Sequence, residues 1–518
     1  MLSSILGTAL SGLRASQLQL NLVAHNVANV QTPGYTKRTL AQSSVVGAGT
    51  GMGVDTGAVT RADGGALMTQ YRDAGTSAAA AEVRDRYRAS VEQLFGRPDS
   101  GKPGAVGALG DALAKFRKTV DGFAANVGST PPALVVGAAH VLATQLNGMS
   151  QRIQDLRLQA DQAIEGHVRE LNGLTKQVAA LNRDVVAGRA TGVDTSDIED
   201  RRDRALTRLA ELTGVSHYGR PDGSLAVMTR DGRTLVEGAT AQVLGMADAT
   251  GKLMTYASAT VMTATTPTQR IGLGSTDGAA AGGDLTAELV RGGGTLGALL
   301  EQRGQYSASA GLPQGELQHR TAELNQLAVS LFNTVRAANL ATTDVPGDPS
   351  HDPANGVSEA SRLFAGVYPN PPANPGNIDN AATIRVHPDL AANPSLLQTT
   401  GGKLDIGIAR SIASAIGGTS LSFAPAGALG SIKTSLAGYA DTIIGNVAAT
   451  RANARDEARY QAGLRNALQG RLGEVAGVNL DEELSKLISY QKSYQASAKM
   501  IQAANSMLDT VLDLVRTR

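Results

Sequence analysis

Apolar residues recur at alternating steps of four and three along both ends of the chain. At the start the series is Leu2, Leu6, Ala9, Leu13, Ser16, Leu20, Val23, Val27 and Val30. That is a heptad seam on one face of a helix. The helix is expected to stop near Thr32-Pro33-Gly34-Tyr35, because proline disfavours helical geometry in the residue before it and Pro-Gly suits the centre of a type II turn. At the far end Leu484, Leu487, Gln491, Tyr494, Ala498, Ile501, Asn505, Leu508, Leu512 and Val515 repeat the spacing. Gln491 and Asn505 are polar seam positions that fix register at some loss of stability. Asp481 and Glu482 in the first turn and Arg516 in the last complement the helix dipole. Spacing alone fits either two amphipathic helices on a globular core or a coiled coil, and the terminal position of both seams favours the coiled coil.

Further long helices are predicted inward. Residues 138–187 carry Leu142, Leu146, Met149, Ile153 and Leu156, then Ile164, Val168, Leu171, Leu174, Val178, Leu181 and Val185, with a phase slip between Leu156 and Ile164 of the kind a stutter makes. Some fifty helical residues would span roughly 75 Å. Helices are also expected over 314–340 and 429–472. From 214 to 294 the pattern changes to short apolar runs after Pro221-Asp222-Gly223 and Arg230-Asp231-Gly232, which predicts a small antiparallel β insertion. Residues 341–404 contain GDPSHDPANG and YPNPPANPGN and read as a loop-rich insertion. The run Gly47–Gly53 reads as a flexible stretch. The fold class is therefore mainly α with inserted β: an elongated multi-domain rod with paired terminal heptad helices, a bundle of long helices and a small antiparallel insertion.

Composition narrows the function. The 518 residues hold 47 Lys+Arg and 46 Asp+Glu, a net charge of +1, which argues against a protein built to grip nucleic acid or an anionic membrane. Cysteine is absent, so disulfides, cysteine-ligated metals and a Cys nucleophile are excluded. Only 6 Phe and 11 Tyr occur, with no Trp, which disfavours large aromatic-lined pockets. No apolar run reaches the length of a membrane span. The N-terminus lacks the basic region of a cleavable secretory signal, so export would need another route.

Catalytic motifs fail. Gly96–Pro103 (GRPDSGKP) begins like a phosphate loop, but Pro103 stands where Ser or Thr is required. Gly272-Leu273-Gly274 lacks the third glycine of a dinucleotide fingerprint. His167 and Glu170 have no second histidine one turn away, so no zinc-protease motif forms. Asp348, His351 and Asp352 could hold a metal, yet such residues among prolines and glycines are usually solvated. Arg201-Arg202-Asp203-Arg204, preceded by Glu199 and Asp200, reads as a solvated helix face. No catalytic, cofactor or metal residue is assigned.

The terminal segments carry a resemblance. SSILGTALSGLRASQLQLNLVAHNVANVQTPGYTKR and GVNLDEELSKLISYQKSYQASAKMIQAANSMLDTVLDLV resemble the N- and C-terminal signatures of the bacterial flagellar axial proteins: rod, hook and hook-associated proteins. The elements Asp481–Leu484 and Tyr490–Ala498 are most similar to the hook-associated members at the hook–filament junction. Strong matching covers 35 residues at the start and 41 at the end. The resemblance implies a nonenzymatic structural protein that leaves the cell by the flagellar type III route and forms a ring-like layer of copies of itself. Its implied partners are the hook protein, a second junction protein and an export chaperone at the C-terminal region; no cofactor, nucleic acid or membrane is implied.

Under that resemblance residues 1–35 and 478–518 are the two halves of an inner coiled-coil domain. Segments 36–213, 295–340 and 405–477 form a helical shell, and 214–294 and 341–404 are outward insertions. The expected assembly residues are Leu6, Leu13, Leu20 and Val27, facing the C-terminal helix or a neighbouring subunit. Leu484, Leu487, Tyr494, Ile501, Leu508 and Leu512 face back. Pro33, Gly34 and Tyr35 set the exit from the inner domain, and Asn26 and Asn29 satisfy backbone groups or contact neighbours. Terminal helices that fold on assembly would need a chaperone over 478–518 beforehand. Open alternatives are a hook or distal rod protein, and, in another class, a secreted flagellum-borne enzyme or a surface-binding module.

Overall fold

The computed structural model describes residues 2–47, 50–98, 105–106, 108–126, 129–247, 270–274, 282–304, 315–339, 363–367, 379–400, 403–404 and 406–516. The loops GDPSHDPANG and YPNPPANPGN, with Asp348, His351 and Asp352, lie outside these residues, as do Ala48 and Gly49 of the glycine-rich run and most of GRPDSGKP.

The chain opens with helix α1 (Leu2–Ala28), a long hairpin of β1 (Arg38–Gly47) and β2 (Thr50–Arg61), and α2 (Gly65–Phe95). A short ribbon of β3 (Arg97–Pro98) and β4 (Ala105–Val106) precedes α3 (Ala108–Ala125), α4 (Pro132–Ala190) and α5 (Ser196–Leu212). Strands β5 (Val215–Gly219), β6 (Leu225–Thr229), β7 (Thr234–Glu237) and β8 (Thr240–Ala241) follow, then β9 (Val243–Ala247), β10 (Arg270–Gly274) and β11 (Gly282–Asp284). Next come α6 (Thr286–Gly292), α7 (Gly294–Arg303), α8 (Glu316–Asn339), β12 (Phe364–Ala365), α9 (Asn380–Thr383), β13 (Arg385–Val386) and α10 (Pro388–Ala392). The last part holds β14 (Thr399–Thr400), β15 (Lys403–Leu404), α11 (Ile406–Ile416), β16 (Leu421–Phe423), β17 (Ile432–Thr434), α12 (Leu436–Ala476) and α13 (Leu480–Arg516). The fold is mainly α with small antiparallel sheets.

Two compact units emerge. The first joins residues 1–78, 170–242 and 460–518; the second joins 79–169 and 243–459. In the first, α1 packs along α13 and against β2, while β5–β8 form a meander in sequence order. Two of its three turns are the predicted ones: Gly223 and Gly232 adopt φ of +86° and +88°, a region glycine enters freely. In the second unit all six phenylalanines of the chain are buried. There Phe116 meets Phe364 edge-on at 5.9 Å, and Phe423 stacks on Tyr439 at 4.1 Å. The first unit thus has neither Phe nor Trp, and its cohesion rests on aliphatic side chains, tyrosines and polar bonds.

Three expectations change. The hairpin β1–β2 occupies a stretch read as helical shell and flexible loop. The strands within 214–294 form two separate sheets rather than one, β5–β8 and β9–β11. The helix expected from 429 starts at Leu436, because Ile432–Thr434 pair with Leu421–Phe423. The phase slip in α4 is real, and polar residues fill it. Between the buried Ile153 and Ile164 the face is completed by buried Arg157, Ala160 and Asp161, and Asp161 accepts a bond from Arg303 Nη1 at 2.5 Å. Among the described residues no helix is long and apolar enough to cross a membrane, and no group of three or more His, Asp or Glu is placed to hold a metal.

Candidate assembly site

The site is the junction of α1, the turn that leaves it, and the start of α13. Helix α1 ends where Asn29 Nδ2 donates to the His25 carbonyl at 2.9 Å, so Asn29 satisfies a helix-end acceptor. The chain then reverses: Tyr35 N donates to Thr32 O at 3.1 Å, and Gly34 has φ +73°, as a type II turn needs at its third position. Pro33 and Gly34 lie on the surface, and the Pro33 carbonyl accepts from Arg204 Nη1 at 3.3 Å.

Asn26 is the centre of the junction. It is buried and uses its whole amide. Its Nδ2 donates to Arg38 O and to Glu483 Oε2, both at 3.0 Å. Its Oδ1 accepts from Tyr35 Oη at 2.7 Å and from Arg38 N at 3.1 Å. One side chain thereby ties α1, the exit strand and α13 together. Tyr35 Oη also lies 3.0 Å from His25 Nδ1, and the Arg38 guanidinium sits 5.1 Å from the Tyr35 ring centroid. Burial pushes the Tyr35 phenol up to about 12, against the opposing pull of Arg38. Tyr35 therefore stays a proton donor at neutral pH. At the rim Lys37 Nζ binds both oxygens of Glu482 at 2.8–2.9 Å. Bonds from Lys37 and Lys486 hold the Glu482 carboxyl down at about 2. Glu482 is half-exposed, so its contribution to stability is small.

Helix pairing keeps half of the expected α13 seam and shifts the other half by one position. The inward stripe is Glu483, Leu487, Tyr490, Tyr494, Ser497, Ile501 and Ala504, buried or half-buried. Leu487, Tyr494 and Ile501 belong to the expected seam. Leu484, Leu508 and Leu512 do not pack inward in the chain: they are 49%, 44% and 52% exposed. The reason is size. A Cβ on Gly12 of α1 would meet Ser497 Oγ at 3.1 Å, so the helices approach through small residues, with Ala9, Ala15 and Ser16 of α1 buried. On α1, Leu6, Leu13, Leu20 and Val27 are half-buried, while Ile5, Leu10 and Leu18 stand exposed. The other side of α1 receives β2. Val54 N donates to Ser11 Oγ at 3.1 Å, a contact possible because Gly53 presents no side chain to Ser11.

The reading of Arg201–Arg204 as a solvated face is overturned for half of it. Arg202 is buried, as is Asp200 ahead of it, and Asp203 is largely enclosed. Arg61 at the end of β2 reaches Glu199, Asp200 and Asp203 at 3.1, 2.6 and 2.8 Å. Arg72 of α2 reaches Asp203 at 2.8 Å, and Arg38 binds Asp197. Thr36 Oγ1 donates to Asp200 at 2.5 Å. The acidic side of α5 is thus the anchor of the exit strand and hairpin. Burial alone would raise the Asp203 carboxyl; Arg61 and Arg72 reverse that and hold it below the usual range. Glu199 is lowered likewise, with Arg189 and Thr195 as donors. The signal missed in the sequence is that arginines at positions 38, 61 and 72 match the acidic residues of 194–203.

The chain is similar in sequence to known proteins. A family model described as the flagellar hook-associated protein FlgK helical domain matches residues 90–352. Models for the flagella basal body rod protein and the C-terminal part of flagellar basal body rod FlgEFG proteins match residues 6–36 and 468–514. Flagellar hook-associated protein 1 of Salmonella typhimurium is 25% identical, over 99% of this chain and all of that protein. The same-named proteins of Escherichia coli and Bacillus subtilis are 23% and 22% identical, each over 99% of this chain and 100% and 99% of their own. A solved structure described as the flagellar hook junction protein FlgK from Burkholderia pseudomallei aligns over 57% of this chain and 46% of that chain, at 22% identity and a TM-score of 0.43. The helical-domain match spans just over half of the chain and the rod-type matches fall on α1 with its turn and on α13: the chain belongs to the FlgK family of flagellar hook-associated proteins.

Proposed function

We propose that the chain is a structural, nonenzymatic component of the bacterial flagellum that joins the distal end of the hook to the filament side, with copies of itself assembling through α1 and α13. The observation that carries this reading is the unused apolar face of the paired helices. Within the chain Leu484, Ile488, Met500, Leu508 and Leu512 stay exposed on α13 and Ile5, Leu10 and Leu18 on α1. Exposed apolar residues repeated along a helix mark an interface, and identical neighbours can pair the two helices by the same heptad rule.

The partners are then neighbouring copies in a ring-like layer, the hook protein on one side and a second junction protein on the other. Before assembly the same face needs cover, which assigns an export chaperone to residues 478–518. A chain lacking that segment loses chaperone binding; full affinity would refute the assignment. Export through the type III channel requires unfolding, and a chain without cysteine forms no covalent trap. The deciding experiment is electron microscopy of cells lacking this gene, with an assay for flagellin in the medium. Hooks without filaments, together with shed flagellin, are expected. Loss of the hook itself would move the protein to the hook or rod, and normal filaments would refute the structural role.

A further inference from the structure

Within the first unit a cavity of about 350 Å³ opens between the end of α4, α5, the start of α2 and the β5–β6 hairpin. Its walls carry five guanidinium groups, on Arg61, Arg72, Arg189, Arg202 and Arg220, against three carboxylates. Asp200 and Glu237, just outside the lining, neutralise Arg61 and Arg220. Four of the arginines have acidic partners: Arg61 and Arg72 on α5, Arg189 on Glu199 at 2.9 Å, and Arg220 on Glu237.

Arg202 does not. It is 5% exposed, and its Nη1 donates to Asn182 Oδ1 at 3.1 Å and Gly223 O at 2.9 Å. Its Nε is buried with no partner. Among the described residues no carboxylate oxygen lies within 4.0 Å of it. Burial lowers its pKa, and the nearby cations Arg61 and Arg189 add to that against the pull of Glu199 and Asp203. A buried cation without a counter-ion is unfavourable. A guanidinium with spare N–H groups is also the side chain best shaped to grip an oxyanion. Arg189 and Arg220 stand half-exposed at the edge of the same space, each with donors beyond those given to its carboxylate.

We propose that this cavity binds a small tetrahedral oxyanion of the phosphate or sulfate class, held by Arg202 from within and by Arg189 and Arg220 from the rim. Arg202, the one guanidinium of the five without a carboxylate partner, supplies the charge that an anion would neutralise, and the volume admits such an ion with its remaining waters. Bound there, the ion ties α4, α5 and the β5–β6 hairpin together, a task the Asn182 amide already shares through its bonds to Leu225 O and Gly238 O at 2.8 Å.

The test is a titration of the full chain with inorganic phosphate at constant ionic strength, read by calorimetry, with sulfate as competitor. Saturable binding of one phosphate per chain, displaced by sulfate, is expected. Arg202→Gln weakens it by about tenfold or more (about 1.4 kcal/mol). Arg220→Gln keeps the circular dichroism of the parent chain and weakens binding severalfold, so the proposal stays testable if the buried variant folds poorly. Arg208→Gln, on α5 but paired with Glu170 and Glu211 outside this cavity, leaves binding unchanged. No saturable binding, or equal weakening by Arg208→Gln and Arg220→Gln, would overturn the proposal.

Discussion

Replacing Arg61 by Gln removes the charge that draws the end of β2 onto α5. Three charge-assisted bonds are lost, to Glu199, Asp200 and Asp203. At about 1.5–3 kcal/mol each they would sum to about 4.5–9 kcal/mol, a large share of the stability of an ordinary domain. Each carboxylate, however, keeps another donor: Glu199 keeps Arg189 and Thr195, Asp200 keeps Thr36, and Asp203 keeps Arg72. The expected loss is therefore about 3–5 kcal/mol, that of one broken buried ion pair. Arg61→Lys is expected to recover less than half of it, because an ammonium cannot fork across three carboxylates. Native-state hydrogen exchange reads the loss locally, with protection falling over residues 55–63 and 196–204. The effect also depends on pH. Asp203 and Glu199 are held below their ordinary values of 3.8 and 4.5. A depressed carboxyl stabilises the fold above its unfolded pKa and ceases to do so as pH falls through the folded one. The gap between parent and Arg61→Gln is thus full above about pH 5 and closes in stronger acid. A loss below about 1 kcal/mol, or a gap that widens in acid, would refute the reasoning.

Other substitutions probe the rest of the junction. Asn26→Ala strands the Arg38 N–H and C=O and is expected to lower stability by about 2–4 kcal/mol in a urea titration. Asn26→Asp sets a carboxylate 3.0 Å from Glu483 Oε2. Repulsion raises the folded pKa of the pair, so stability is near that of the parent below about pH 4 and is lost as pH rises; a gap independent of pH would count against the contact. Gly34→Ala, at φ +73° and with its Cβ 2.5 Å from Arg204 Cγ, should lose about 1–2 kcal/mol by thermal melting. Leu484→Ser with Leu508→Ser should leave the melting of the free chain within about 0.5 kcal/mol, since both are exposed, yet reduce swimming in a complementation assay; unimpaired swimming would show that this face is not used.

The terminal seams were legible because heptad spacing survives in any sequence whose helices pair, and the turn at Pro33-Gly34 because few residue pairs serve its geometry. The two Asp-Gly turns at 222–223 and 231–232 revealed β5–β7 for the same reason. The β1–β2 hairpin was hidden because its turn falls in GAGTGMG, which lacks an Asn-Gly or Asp-Gly signal, and bulges at Leu40/Gln42 and Val45/Val46 break its alternation. Half of the α13 seam was misplaced by one position, because hydrophobicity weights Leu484, whereas the contact with α1 takes Glu483, Ser497 and Ala504. The anchor on α5 was unreadable for an electrostatic reason. Alternating charges look alike whether water or Arg61 and Arg72 neutralise them, and only the fold brings residues so distant in sequence together.

The proposed function requires that the exposed apolar residues of α13 be covered by neighbouring copies in the flagellum. A cysteine-free chain allows a direct measurement: place one cysteine at Leu484 or Leu508 and compare its reaction with a maleimide in the free chain and in isolated flagella. The account predicts rapid labelling of the free chain and strong protection in the assembled organelle, with a control cysteine at exposed Tyr218 reactive in both. Equal labelling of Leu484→Cys in the two states would contradict it.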